Sequence, residues 1–246
     1  MFRILTYNVH RCVGADRRLD VDRVAQVIAA EAPDIVALQE VDVGRARTGG
    51  VDQAHSLAKR LGMVSRFNAA LTVVEEQYGD AILTALPERL IKAGALPGYA
   101  RIPRLEPRGA LWVSIDLGKR RELQVINTHL GLVPREQQIQ AAALAGSAWL
   151  GAKARRDPIM LLGDFNATPR TVVHRTLTEC LRNAHALRPA GEPRAATFPA
   201  SMPMLRIDHL FVSAGIAVRS VRTASSPLAR SASDHLPLVM DFDLEE

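Results

Sequence analysis

Cysteine is almost missing: Cys12 and Cys180 are the only two in 246 residues. Two thiols cannot build a disulfide framework and do not have zinc-site spacing, so both are read as ordinary thiols. Aromatic residues are scarce at 4%, which leaves few flat platforms for stacking unpaired bases. No apolar run approaches the roughly 18–20 residues that cross a bilayer. The opening MFRILTYNVH lacks a basic segment followed by an apolar stretch and a cleavage site. It reads as a strand beginning at once, so no signal peptide is expected and a cytoplasmic location is the default. No low-complexity tract or linker divides the chain, which predicts one domain over residues 1–246. No obligate protein partner is evident.

Core material and basic charge are plentiful. Hydrophobic residues make up 48% and charged residues 23%, with a net charge of +5 and a pI near 9.7. Short basic clusters occur at Arg17 and Arg18, at Arg45 and Arg47, at Lys119, Arg120 and Arg121, and at Lys153, Arg155 and Arg156. This balance suits an anionic partner: nucleic acid, a phospholipid headgroup or a phosphorylated metabolite. It does not choose among them, and each cluster alone is equally a solvated surface.

The spacing of apolar residues predicts a strand over 2–9. A helix follows, with Asp20 and Asp22 as N-cap candidates, apolar positions at Val24, Val27 and Ile28, and a stop at Pro33. A strand over 34–40 ends in Glu40. A second helix over 51–61 is closed by Gly62. Further strands are expected at 81–85, 110–117 and 122–130, the last two joined by a hairpin turn at Gly118, Lys119 and Arg120. A helix opens at Pro134 and runs to about Gly151. A strand over 158–163 precedes a third helix after Pro169, and strands at 207–213, 217–223 and 236–244 finish the chain. The Pro-rich stretch 187–206 reads as a long loop.

This order contains an echo. A strand ending in Asn8, a helix and a strand ending in Glu40 are repeated as a strand ending in Asn127 and His129, a helix, and a strand ending in Asp164 and Asn166. Two such halves suggest two sheets face to face with helices outside, and chemistry at the strand carboxyl ends. Glu40, Asp164, Asp208 and Asp234 all terminate or flank apolar runs, accompanied by Asn8, Asn127, Asn166, His129 and His235. One such acid reads as a loop cap; four with these companions point to a site. Clustered carboxylates repel unless a cation or shared protons relieve them. Oxygen donors and histidines without cysteine favour Mg²⁺ or Mn²⁺ over zinc. Phosphate-ester hydrolysis suits that inventory.

The segments Thr6-Tyr7-Asn8-Val9, Leu38-Gln39-Glu40, Asn127-Thr128-His129-Leu130, Gly163-Asp164-Phe165-Asn166, Arg206-Ile207-Asp208 and Ser233-Asp234-His235 resemble, in order, the motifs of the endonuclease/exonuclease/phosphatase family. That superfamily includes deoxyribonuclease I, AP endonucleases, inositol polyphosphate 5-phosphatases and neutral sphingomyelinases. The resemblance spans residues 6 to about 238, and it is similar in detail to small bacterial members of undefined substrate. It implies an α/β fold, a four-layer α/β/β/α sandwich of the deoxyribonuclease I type. It implies that Glu40 is the principal metal ligand with Asn8 and Asp234 beside it, and that Asp164 with Asn166 handles the attacking water. His235 braced by Asp208 would hold a phosphate oxygen. His129, positioned by Asn127, would contact the phosphate or the leaving oxygen. The general acid stays open. The segment around Asp80 departs from the pattern, which usually has asparagine there.

Adjacent strand residues face opposite ways, so Asp234 and His235 can share a site only from a loop, and His209 is expected to point away from Asp208. His10 is a candidate phosphate contact just past Asn8. Arg108 either clamps phosphate through its planar fork or is a plain loop arginine. His55, His174 and His185 read as surface histidines. The basic pI tilts the substrate toward nucleic acid. The alternatives are a phospholipid or small-molecule phosphoesterase and, in another class, a non-catalytic binding module on the same fold. The apolar 198–205 loop either touches lipid or plugs the core.

Overall fold

The computed structural model describes residues 1–189, 191 and 195–245. Period-two patterning organises it. In β1 (Phe2–Asn8), Ile4 joins one apolar cluster while Leu5 and Tyr7 join another. In β2 (Ile35–Val43) the same split separates Ile35 and Ala37 from Val36 and Leu38. Both strands are covered on two faces, which is why their sequences read as nearly unbroken apolar runs.

Strand β1, helix α1 (Val21–Glu31) and β2 make a parallel crossover, and β7 (Glu122–His129), α3 (Pro134–Ala145) and β8 (Ile159–Asp164) make a second. Each lies in the middle of a six-stranded sheet. The first sheet adds β3 (Val64–Val73), β4 (Glu76–Thr84), β11 (Ile216–Thr223) and β12 (Leu238–Leu244) in the order β11-β12-β1-β2-β4-β3. The second adds β5 (Glu88–Ala95), β6 (Gly109–Asp116), β9 (Arg182–Asn183) and β10 (Asp208–Val212) in the order β5-β6-β7-β8-β10-β9. The two orders correspond strand for strand, so the echo in the sequence extends to whole sheets.

Among the described residues, three apolar clusters set the layers. Between the sheets, Ile4, Ile35 and Ile82 meet Leu111, Val125, Met160, Leu162 and Leu210. Outside the first sheet, Leu5, Tyr7 and Leu38 pack with Val24 and Ile28 of α1, Leu57 of α2 (Gln53–Leu61) and Ala229 of α6 (Pro227–Ala232). Outside the second, Trp112, Ile126 and Phe211 pack with Leu144 of α3 and Leu177 of α4 (Val172–Thr178). Helices, sheet, sheet, helices: the four-layer α/β/β/α sandwich is what forms. Asp20 caps α1 by accepting from the Arg23 backbone N–H at 2.8 Å, and Gly62 ends α2 with φ +66.

Several elements depart from the sequence reading. The strand expected to end at Glu40 runs on to Val43. The helix expected to reach Gly151 stops at Ala145, where Gly146 turns extended (φ −69, ψ 171). Strands β3 and β5 and helix α6 were not anticipated. Both strands lie at sheet edges with mixed exposure, so they lack the apolar alternation that marks a half-buried strand. Within the expected loop 187–206, residues 190 and 192–194 lie outside the described residues, as does the Arg155 side chain of the basic cluster. Among the described residues no helix is long and apolar enough to cross a membrane.

Candidate active site

The carboxyl ends of the parallel strands β1, β2, β7 and β8 are where open α/β sheets place chemistry. On β1 the inward phase that carries Ile4 continues through Thr6 to Asn8; on β8 the phase of Met160 and Leu162 continues to Asp164. Strand β10 runs antiparallel to β8 and sets Asp208 directly opposite Asp164. Glu40 arrives differently. The β2–β4 register shifts between Leu38 and Val41, both of which face the outer cluster. Glu40 is the extra residue of this bulge, with φ +58, and the bulge re-aims it out of strict alternation. Asp234 and His235 sit in a loop between α6 and β12, as expected. The hydroxyl of Ser233 ties that loop to Asn8 by donating to its carbonyl at 2.8 Å.

Asn8 joins the two sheets. Its side-chain amide donates to Glu40 Oε1 at 3.1 Å and to Asp164 Oδ2 at 3.0 Å, and its oxygen accepts the His10 backbone N–H at 3.0 Å. Asp164 Oδ1 accepts the Asn166 backbone N–H at 2.8 Å. His129 Nε2 and His235 Nε2 each stand 3.6 Å from Asp164 Oδ2. Burial, then the Asp208 charge, push the Asp164 carboxyl up to about 7, against His235 and the Asn8 bond. His235 Nδ1 meets Asp208 Oδ2 at 2.8 Å. Burial opposes its charge, yet Asp208, together with Asp164 and Asp234, outweighs burial and raises His235 to about 10.

His129 has the opposite character. Arg108, a permanent cation and donor, reaches its Nδ1 at 3.0 Å, and the Asn166 side-chain amide nitrogen reaches its Nε2 at 3.1 Å, so donors face both ring nitrogens and the neutral ring is favoured. Burial first, then Arg108 and His235, hold His129 well below the usual histidine range. Two histidines on one carboxylate are thus driven to opposite protonation states. Arg108 lines the cleft, but its Nη1 is spent on His129 and on Glu106 at 2.8 Å; it acts on His129. Asp80 is wholly buried, and burial raises its carboxyl well above the usual range despite Arg108.

Asn127 does not line the cleft. Its amide donates to the Leu38 and Ala81 carbonyls at 2.8 and 2.9 Å and its oxygen accepts from Gln39 Nε2 at 2.7 Å, stitching the second sheet to the first. His10 lines the cleft, but its ring nitrogens meet the Val13 carbonyl at 3.2 Å and the Arg11 guanidinium at 2.6 Å. His209 is buried, donating Nε2–H to the Ala167 carbonyl at 2.8 Å and packing on Phe165 and Phe211. His174, expected at the surface, is half-buried against His209 and Phe211. His185, expected at the surface too, is half-buried in a second cavity. Arg11, Arg47, Tyr78, Glu106 and Phe198 line the cleft without having been anticipated. Arg47 carried a signal as part of a basic cluster and Phe198 as part of the apolar 198–205 loop.

The cleft is about 540 Å³ and holds Glu40, Asp164 and Asp234. Two of its three arginines are spent on other acids, since Arg47 is bound bidentately by Asp42 and Arg108 meets Glu106 at 2.8 Å, while Arg11 meets His10. Buried Asp208 Oδ1 has no hydrogen-bond partner. Uncompensated carboxylate oxygens beside an amide are the donor set of a hard divalent cation, and the residues fit one. Among the described residues, Asp164, Asp208 and His235 bring ligand-capable atoms within 4.8 Å of one another. Within that trio the His235–Asp208 hydrogen bond already engages one atom of each.

Fold and cleft together define an α/β/β/α sandwich with acids and histidines gathered at the strand carboxyl ends. The chain belongs to the Endonuclease/Exonuclease/phosphatase family, whose model matches residues 5–235. It is 28% identical over 261 residues to the uncharacterized protein YbhP of Escherichia coli (strain K12), covering 99% of this chain and 96% of that protein. An endonuclease/exonuclease/phosphatase of Beutenbergia cavernae superposes with TM-score 0.79 at 24% identity, over 99% of this chain and 72% of that one. The mannosyl-6-phosphatase Bt3783 of Bacteroides thetaiotaomicron superposes with TM-score 0.79 at 16% identity, over 99% and 100% of the two chains. Both structures share the fold.

Proposed function

We propose that this protein hydrolyses a phosphodiester by water attack on phosphorus, assisted by Mg²⁺ or Mn²⁺, with nucleic acid the favoured substrate. The observation that carries the reading is Asp164, gripped by Asn8 and flanked at 3.6 Å by two histidines of opposite character. Glu40 and Asp234, with Asn8 behind Glu40, would hold the cation, which supplies charge stabilisation on a phosphate oxygen when bound. Asp164, raised by burial to about 7, is poised to take the proton of the attacking water near neutrality. His235, kept cationic by Asp208, faces the charge that builds on phosphate. Neutral His129, held between Arg108 and Asn166, faces the phosphate or the leaving oxygen, and Asn166 is fixed there by donating to the Leu130 carbonyl at 3.0 Å.

A phospholipid or small phosphate ester is the second reading. It is favoured by exposed Leu132 (72%), Met202 (62%) and Met204 (65%) near a cleft whose own wall includes Leu132 and Phe198. The test is a panel of oligonucleotides, phospholipids and sugar phosphates with Mg²⁺, Mn²⁺ or chelator. Cleavage that needs metal, and a fall in kcat of about 10²- to 10⁴-fold in Asp164→Asn, are the expected outcomes. An Asp164→Asn protein of undiminished rate ends the assignment.

A further inference from the structure

A second cavity, about 750 Å³, adjoins the active cleft, and Leu205 lines both. Its charged wall is entirely basic among the described residues: Arg170, Arg188 and Arg206, with His185 between them. Several other arginines are instead engaged by acids. Arg3, Arg23, Arg47 and Arg66 each meet a carboxylate at 2.6–2.9 Å. Among the described residues Arg206 meets none, and its Nε is buried without a hydrogen-bond partner. Burial and the nearby Arg188 charge pull its guanidinium down to about 10, which is the mark of a cation lacking an anion. His185 Nδ1 is likewise buried without a partner, while Arg188 donates to the His185 carbonyl at 3.0 Å and holds the wall together.

We infer that this cavity is a second phosphate-binding site, taking a non-scissile phosphate of the substrate whose reacting phosphate lies in the adjoining cleft. Planar guanidinium forks bind phosphate bidentately, and Arg206 brings an unspent one. Thr168, on the cavity wall, follows Asn166 of the cleft by two residues, so both sites hang from the turn after β8. The role rests on the phosphate-ester reading of the cleft; the existence of the site does not. A flanking phosphodiester and a second phosphate on a small metabolite present the same chemistry.

Two readouts on the full chain test this. Pyrophosphate binding is followed by phosphorus NMR in wild type, His129→Gln, Arg206→Gln and exposed Arg170→Gln. Wild type and His129→Gln are expected to bind, and the two arginine variants to bind on the order of 10- to 100-fold more weakly. KM is then compared for a 5′-phosphorylated dinucleotide, a sugar bisphosphate and the one-phosphate ester bis(p-nitrophenyl) phosphate. Arg206→Gln is expected to raise KM by a similar factor for a two-phosphate substrate at unchanged kcat, and to leave the one-phosphate ester within about twofold. A response of the dinucleotide alone assigns the second phosphate to a polynucleotide; a response of the bisphosphate alone assigns it to a metabolite. Unchanged pyrophosphate binding in both arginine variants, or an equal KM shift for the one-phosphate ester, overturns the inference. If wild type cleaves no ester, the reading of the cleft fails, and the pyrophosphate titration still decides the second site.

Discussion

Asp208 acts on both His235 and Asp164, and its hold on His235 can be read separately. Its bond to Nδ1 at 2.8 Å helps keep the imidazole charged up to about pH 10. In Asp208→Asn the histidine should lose its proton at least about one unit lower, read by NMR titration of the ring, and the alkaline limb of the rate profile should move with it. A ring titration unchanged by the substitution would count against the bracing. His209 offers a stability test away from the cleft. Burial lowers it to about 3 in the folded state, whereas the unfolded chain protonates near 6.5. Between those values the unfolded state binds the extra proton, so stability is lost as pH falls. The expected slope is about 1.4 kcal/mol per pH unit from this group, seen in urea midpoints at pH 7, 6 and 5, and absent in His209→Gln. That His129 and His235 share one cleft was legible, since Asn127-x-His129 closed an apolar run and Asp234-His235 stood in a loop before another. Their opposite protonation was not, because it depends on Arg108 and Asp208 arriving from elsewhere.

At the scale of elements, strand junctions decide where side chains aim. Gly163 has φ +140, and a Cβ there would stand 1.9 Å from the Thr128 carbonyl oxygen. The close approach joins β7 to β8, the strands that deliver His129 and Asp164. Gly163→Ala should therefore cost about 2–4 kcal/mol from clash and backbone strain, measured by chemical denaturation, and should lower kcat in the protein that remains folded. A stable, fully active alanine variant would mean that the strands can part without disturbing the site. The strand ending in Glu40 was legible as an apolar run closed by an acid. Its bulge was not, because a one-residue insertion shows only against the partner strand β4.

For the whole molecule, what matters is how the two sheets are held in register. Asn127 spends its amide on Leu38, Ala81 and Gln39 of the opposite sheet. Asn127→Leu would remove three buried hydrogen bonds, at a cost of about 2–4 kcal/mol. The expected sign is a lower thermal midpoint, with KM unchanged at temperatures where the variant stays folded. A large KM change in a protein of wild-type stability would instead place Asn127 at the substrate.

The amino-acid sequence by itself determined the strands and helices that carry period-two or period-3.6 patterning, their caps, the duplicated strand–helix–strand order and the identity of the acids and histidines at strand ends. These are local properties, readable within a few residues of each position. Tertiary structure alone decided the contacts among them. Asn8 meets Asp164 across 156 positions of chain, Asp80 is shut away from water, and among the described residues Arg206 is left without a carboxylate. Charge state and pairing depend on distance and dielectric, and both are set by how two sheets close on each other rather than by neighbours in sequence.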